Sequence, residues 1–274
     1  MTVPKLTIVI CTRNRAEQLG HAISYLLNIR SSEDWRAIIV DNGSYDATKT
    51  VIEEAISRDP RISYYFQPVP GLGASRDFAL SVVETELVSF TDDDCYIAEN
   101  YVDAVISAFA EDLRVCCIGG QILLHDLDHA RITIDERINR VLISPNTYVP
   151  AGCLHGANLS FRVDVLRSVG GFDSRLGAGT AYPCEDIDAV ARVVWSGHYA
   201  AYDPRPSVRH DHGRTSSDIP ALEKSYDAGR GAYMAKFIGE RGSRGPYLGA
   251  WIGAVTKPLS NFSLGSGLIA RTAR

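Results

Sequence analysis

Short, branched apolar runs alternate with stretches whose apolar residues fall at helical spacing, and this alternation restricts the chain to few architectures. LTIVI at 6–10, AIIV at 37–40, ISYYF at 62–66 and LVSF at 87–90 have the length and branching of strands. Between them Leu19, Ile23 and Leu26, then Val51, Ile52, Ala55 and Ile56, recur at helical intervals, and a glycine turn at 71 opens a third such stretch ending near Val83. Strands that are apolar throughout need cover on both faces. The pattern predicts an α/β chain with a mostly parallel central sheet and helices on both faces.

In such sheets ligands bind beyond the carboxyl ends of the strands, where the connecting loops gather. The polar peculiarities of this sequence fall there: TRN at 12–14 after the first run, DNGS at 41–44 after the second, DDD at 92–94 after the fourth. Three adjacent carboxylates repel one another and form strands poorly, so something must offset the repulsion. If the strand continues past Phe90, Asp92 and Asp94 point to one side and Asp93 to the other. Two carboxylates facing one point suit a hard divalent cation with oxygen ligands.

Past residue 119 the text changes to glycine pairs, a mixed polar stretch near 125–150, GANLSFR at 156–162 and EDID at 185–188. The expected organisation is a first half at 1–118, a second half of the same domain at 119–215 that completes the sheet and shapes the pocket for a second substrate, and a C-terminal helical and Gly-rich extension at 216–274. That extension holds one helix, from Leu222 to Ile238, and a Gly-rich tail whose Trp251, Ile252, Leu259, Phe262, Leu268 and Ile269 show no clear period.

A formal charge of -5 with no basic stripe argues against a nucleic-acid partner. The six cysteines include no C-x-x-C pair and lie mostly in apolar surroundings, as expected of reduced thiols in the cytoplasm. The N-terminal apolar run is too short for a signal sequence, and no stretch reaches the roughly 20 apolar residues of a membrane span.

Taken in order, TIVICTRNR at 7–15, VDNGS at 40–44, FTDDD at 90–94, GANLSFR at 156–162, GGFD at 170–173 and EDID at 185–188 resemble the family 2 glycosyltransferases of the GT-A fold, over roughly residues 5–212. The resemblance implies inverting transfer of a sugar, most commonly from a UDP-sugar, to a hydroxyl of a saccharide or lipid-linked acceptor, with 1–118 as the nucleotide-sugar-binding half and 119–215 as the acceptor-binding and catalytic-base half of the same domain. It implies that Asp41 hydrogen-bonds the nucleotide base, that Thr12 and Arg13 pack beside that base, and that Arg76 lies near the nucleotide. Asp92 matches the carboxylate near the ribose and Asp94 the one that holds Mn2+ or Mg2+ on the diphosphate, with Asp93 between them among the nucleotide-sugar-binding residues. Asp186 matches the general base, supported by Glu185. Either His210 or His212 lies near the metal, and spacing does not choose between them. Asn158 and Arg162 either contact the donor sugar or order their loop, and the segment around Gly177 and Gly179 is expected to close over the donor.

The chemistry agrees with these roles, since a diphosphate leaving group needs a cation on its oxygens and an acceptor hydroxyl needs a carboxylate to take its proton. No Q-x-x-R-W motif of processive synthases is present, so single-sugar transfer is expected. A sugar-phosphate nucleotidyltransferase or a dinucleotide dehydrogenase should carry a glycine-rich loop after the first strand, where this chain has CTRNR. A phosphatase with a D-x-D nucleophile should carry it on the first strand. The remaining alternative is a degenerate relative acting as a scaffold, which would lack the metal carboxylate or the base. The C-terminal tail is expected either to touch the inner face of a membrane or to cover a homodimer face.

Overall fold

The computed structural model describes residues 4–256. The first part of the chain alternates β1 (Leu6–Thr12), α1 (Ala16–Leu26), β2 (Trp35–Asp41), α2 (Thr48–Arg58), β3 (Ile62–Phe66), α3 (Leu72–Val82) and β4 (Leu87–Asp92). Then come β5 (Cys95–Ile97), α4 (Tyr101–Glu111), β6 (Val115–Leu124), β7 (Val141–Ile143), β8 (Asn158–Arg162), α5 (Val163–Ser168), α6 (Glu185–Trp195), β9 (Tyr199–His210), α7 (Ile219–Gly239) and α8 (Arg244–Thr256). All nine described strands join one sheet of order β3-β2-β1-β4-β8-β6-β9-β5, with β7 also on β9.

Pleating explains the two-sided cover. Along β1 the side chains of Leu6, Ile8 and Ile10 enter a core with Leu19, Ile23 and Leu26 of α1 and with Tyr101, Val105 and Phe109 of α4. Val9 faces the opposite core, built on Ala79 and Leu80 of α3 and on Val190 and Val194 of α6. Helices therefore lie on both faces, as the apolar runs require. Tyr233 and Phe237 of α7 and Tyr247 of α8 are almost fully buried in this second core.

Register sets the edge at which function can gather. β1, β2, β3 and β4 are parallel, and their pairing aligns Thr12 with Asp41 and Cys11 with Asp92. β8 then runs antiparallel to β4 and aligns Asn158 with Thr91, so it begins where β4 ends. β6 and β9 return to the common direction, and antiparallel β5 pairs Cys95 with His210. Six of the nine strands thus share one direction.

The 118/119 boundary between the two proposed halves of the domain falls inside β6, and one sheet runs through both. In the C-terminal extension α7 and α8 supply residues to the second core. Trp251 and Ile252, expected in an aperiodic tail, lie on helix α8, while Leu259, Phe262, Leu268 and Ile269 lie outside the described residues. Among the described residues no helix is long and apolar enough to cross a membrane.

Candidate active site

β4 ends at Asp92, and the chain turns through Asp93 and Asp94 into β5. The triplet is therefore not a continued strand, and its carboxylates do not simply alternate between two sides. Each aspartate has a basic partner, and Arg15 serves two of them. Arg76 Nη2 donates to Asp92 Oδ1 at 3.0 Å. Arg15 Nε donates to Asp93 Oδ1 at 2.8 Å and its Nη2 to Asp94 Oδ2 at 2.7 Å. His210 Nε2 lies 3.3 Å from Asp94 Oδ1. These partners offset the repulsion. Burial pushes the Asp93 carboxyl up to about 6, with Arg15 and the Thr12 hydrogen bond acting against it. For Asp94 burial is outweighed by His210 and Arg15, which hold it below the usual carboxylate range. The reciprocal holds for His210, which Asp94 raises despite burial.

One oxygen from each of Asp92 and Asp94, the Cys95 sulfur and a His210 nitrogen all lie within 4.8 Å of one another. Two carboxylates and an imidazole fit a divalent cation that accepts oxygen and nitrogen. His212 is outside this group. Its ring packs on His210 at 5.1 Å, its Nδ1 accepts the Arg214 backbone N–H at 3.0 Å, and its buried Nε2 has no hydrogen-bond partner.

Of the residues expected beside the nucleotide, Thr12 donates from its hydroxyl to Asp93 Oδ2 at 2.6 Å, and Arg13 is exposed. Asp41 is buried at the end of β2, where Oδ1 accepts the Ser44 N–H at 2.7 Å and Oδ2 the Tyr64 hydroxyl at 3.2 Å. Asn42 fixes the neighbouring turn by donating to the carbonyls of Gln67 and Val69 and accepting the N–H of Gly71, whose φ of +123° suits glycine.

Asp186 occupies the first turn of α6. Its Oδ2 accepts the Gly156 N–H at 2.8 Å and its Oδ1 the Ile187 N–H at 2.7 Å. Glu185 is buried beside it and pairs with Arg76 Nη1 at 3.0 Å. Burial pushes the Glu185 carboxyl up to about 7, with Arg76 opposing. Asp188 is fully buried and paired with Arg192 and Lys236, which gives it a structural role.

Arg76 joins these regions. It is 2% exposed, and besides Asp92 and Glu185 it donates to the Gly156 carbonyl at 3.0 Å. A Cβ at residue 156 would meet Arg76 Nη1 at 2.5 Å and the Asp186 Cβ at 3.1 Å, so glycine permits the approach. The Arg76 guanidinium thus links Asp92 at the end of β4 to Glu185 and Gly156 from inside the protein.

Asn158 and Arg162, expected either to contact the donor sugar or to order their loop, have structural partners. Asn158 is 1% exposed, donating to the carbonyls of Gln121 and Pro206 and accepting the Tyr101 hydroxyl, so its amide knits strands together. Arg162 pairs with Leu87 across the sheet, at the edge opposite the triplet, and binds Glu86. The 174–184 segment, expected to close over the donor, packs on the start of α3, where a Cβ at Gly73 would meet the Leu176 carbonyl at 2.4 Å.

Sequence reasoning missed Arg15, Cys95 and Tyr226. Arg15 closes the first quoted motif and Cys95 directly follows the triplet, so both lay next to residues already singled out. Tyr226 lies on α7, which crosses the start of α6 so closely that a Cβ at Gly229 would meet the Pro183 carbonyl at 2.5 Å. Burial raises the Tyr226 phenol, Arg214 opposes, and the charges of Asp186 and Asp92 raise it further.

Residues 7–170, more than half of the chain, match the family model described as Glycosyl transferase family 2. A pre-mycofactocin glycosyltransferase from Mycobacterium tuberculosis is 26% identical over 242 residues, covering 84% of this chain and 47% of the relative. The chain therefore spans about half of that protein. The mannosyltransferase PcManGT from Pyrobaculum calidifontis, solved with GDP-Man and Mn2+, superposes with a TM-score of 0.59 at 16% identity, covering 93% of this chain and 81% of that one. Staphylococcus aureus TarS 1–349, solved with UDP-GlcNAc, gives 0.61 at 15% identity over 86% of this chain and 67% of that one. Both likenesses concern the fold, which is that of the GT-A glycosyltransferases. With the family model spanning β1 to the end of α5 and the ordered motifs gathered at one sheet edge, this chain belongs to the family 2 glycosyltransferases.

Proposed function

We propose that the protein transfers one sugar per encounter from a nucleoside diphosphate sugar, with UDP as the first candidate nucleotide, to a hydroxyl of a saccharide or lipid-linked acceptor, with inversion. The supporting observation is the short path from Asp92 through Arg76 and Gly156 to Asp186, which brings a cation-binding carboxylate and a candidate base to one edge. The complexes of PcManGT with GDP-Man and of TarS with UDP-GlcNAc support this donor class.

Each chain residue then has a task. Asp41, beside Thr12 and Arg13, faces the base. Asp92, Asp94 and His210 would hold Mn2+ or Mg2+, which when bound neutralises charge developing on the departing diphosphate. Arg15 keeps Asp93 and Asp94 in place from behind. Asp186 takes the acceptor proton as the hydroxyl attacks the anomeric carbon. Its two backbone N–H donors fix the carboxylate's direction, while neighbouring Glu185 is engaged by Arg76. One free carboxylate favours a single displacement, the logic of inverting hydrolysis with a sugar hydroxyl in place of water.

Calorimetric titration of UDP, dTDP, GDP and CMP, with Mn2+ and again with EDTA, tests the reading. We expect one diphosphate to bind with metal and to lose affinity in Asp94→Ala. Binding of none in either condition overturns it and moves the scaffold alternative forward.

A further inference from the structure

Helix α7 brings a residue to the site that the reading above leaves without a task. Its buried face carries Gly229, Tyr233 and Phe237, and Tyr226 stands on that face about one turn earlier. Tyr233 and Phe237 are sunk in the second core, where the Tyr233 hydroxyl donates to the Val149 carbonyl at 2.8 Å. Gly229 marks the crossing with the residues that open α6: a Cβ there would meet the Pro183 carbonyl at 2.5 Å and the Cys184 Cβ at 3.4 Å. Asp186 lies in the helical turn that follows Cys184. One turn from this crossing, Tyr226 comes within reach of the charges of Asp186 and Asp92.

Those are the two carboxylates that the site leaves open. Glu185, Asp93 and Asp94 are buried, whereas Asp92 and Asp186 keep part of their surface, as do Tyr226 and Arg214. Arg214, whose charge also acts on Asp94, donates to the phenol oxygen of Tyr226, so the phenol's own O–H stays available to a ligand. Burial, with the charges of Asp186 and Asp92, keeps that proton on the oxygen. Both Arg214 and Tyr226 lie beyond the stretch that the family model matches.

We infer that Tyr226 is an acceptor-binding residue whose subsite takes the ring of a saccharide, the phenol ring covering one face of the sugar while its O–H holds a hydroxyl beside the one offered to Asp186. The inference rests on the reading of Asp186 as the base. A sugar ring has apolar C–H faces and a polar rim, and tyrosine matches it with an apolar body and a polar tip. Arg214 acts as a positioning residue, fixing the phenol oxygen so that the O–H has one direction left to point.

Saturation-transfer NMR on the full chain with UDP and Mg2+ provides the test, with the methyl glycosides of glucose, galactose, mannose and N-acetylglucosamine as probes. The expected result is binding of at least one glycoside to the wild type, weakened about tenfold or more in Tyr226→Ala, with UDP affinity by calorimetry unchanged. Tyr226→Phe keeps the ring and should weaken the same glycoside about fivefold, the worth of one hydrogen bond. Unchanged binding in Tyr226→Phe overturns the phenol contact, and this comparison decides alone should Tyr226→Ala not fold. No glycoside bound by the wild type, or equal binding by wild type and Tyr226→Ala, overturns the inference. An equal loss of UDP affinity in Tyr226→Ala also overturns it, by assigning the residue to the donor. Failure of the donor reading looks different: UDP does not bind the wild type, while glycoside binding still depends on Tyr226 and the saccharide subsite stands.

Discussion

The half of the sheet made of β3, β2, β1 and β4 and the half made of β8, β6, β9, β5 and β7 reach the same edge by different routes. In the first, every strand runs towards the site, so the polar residues that follow each strand arrive there together: Thr12, Asp41 and Asp92 align through register. In the second, β8 starts at that edge, β9 ends there, and β5 runs back from it. The loop that precedes β8 therefore does the work that in the first half belongs to loops following strands. Gly156, two residues before that strand, touches both Arg76 and Asp186, while Asn158, the first residue within it, is locked into the sheet. What matters is the edge, whichever end of a strand lies there.

The sharpest way to separate the halves is Asp186→Asn. Turnover should fall by a factor of about 10²–10⁴, the usual contribution of a positioned base, with nucleotide affinity by calorimetry unchanged. An equal loss of nucleotide affinity would mean that the second half also binds the donor, and the division would fail.

Arg76→Leu attacks the joint between them. Removing one partner of a buried pair leaves Glu185 uncompensated and should cost about 3–5 kcal/mol in denaturant unfolding. Adding Glu185→Leu should restore part of that loss, because two apolar side chains carry no stranded charge. No restoration would show that Asp92 and Gly156, rather than Glu185, need the guanidinium.

Within the parallel half, Thr12→Val removes the hydroxyl donated to buried Asp93 and should cost about 1.5–3 kcal/mol, measured in the same way. The smallest effect on stability belongs to exposed Arg13→Ala, within about 0.5 kcal/mol of wild type. Its use is to test function, since a drop in nucleotide affinity without a change in stability would place Arg13 against the base.

These cases also show what a sequence reader can see. The strands of the parallel half are legible because both-sided burial writes continuous apolar runs, and a parallel order makes each following loop a candidate. The reversal at β8 is not legible: it follows an irregular connection whose residues carry no period and say nothing about pairing. Asn158 and Arg76 are ambiguous for another reason. An amide or a guanidinium has the same letter whether it meets a ligand or satisfies carbonyls and carboxylates in the interior, and only burial tells the cases apart. Cys95 stands in the same run as the triplet, yet its closeness to His210 depends on a pairing across 115 residues that no local pattern encodes.

The Arg76–Glu185 pair also limits how this molecule can be taken apart or inherited. The two residues are 109 positions apart and both are buried. A chain cut within the connection at 125–140 would leave each fragment with one member of the pair, a charge that neither can bury alone. Two such pieces should acquire structure only when mixed, so fragment complementation is expected and independent folding of either piece is not. The same constraint reaches across relatives: exchanging one half for a homologous half succeeds only when the incoming segment brings the matching charge, so the two sides of the sheet are expected to travel through recombination as one unit.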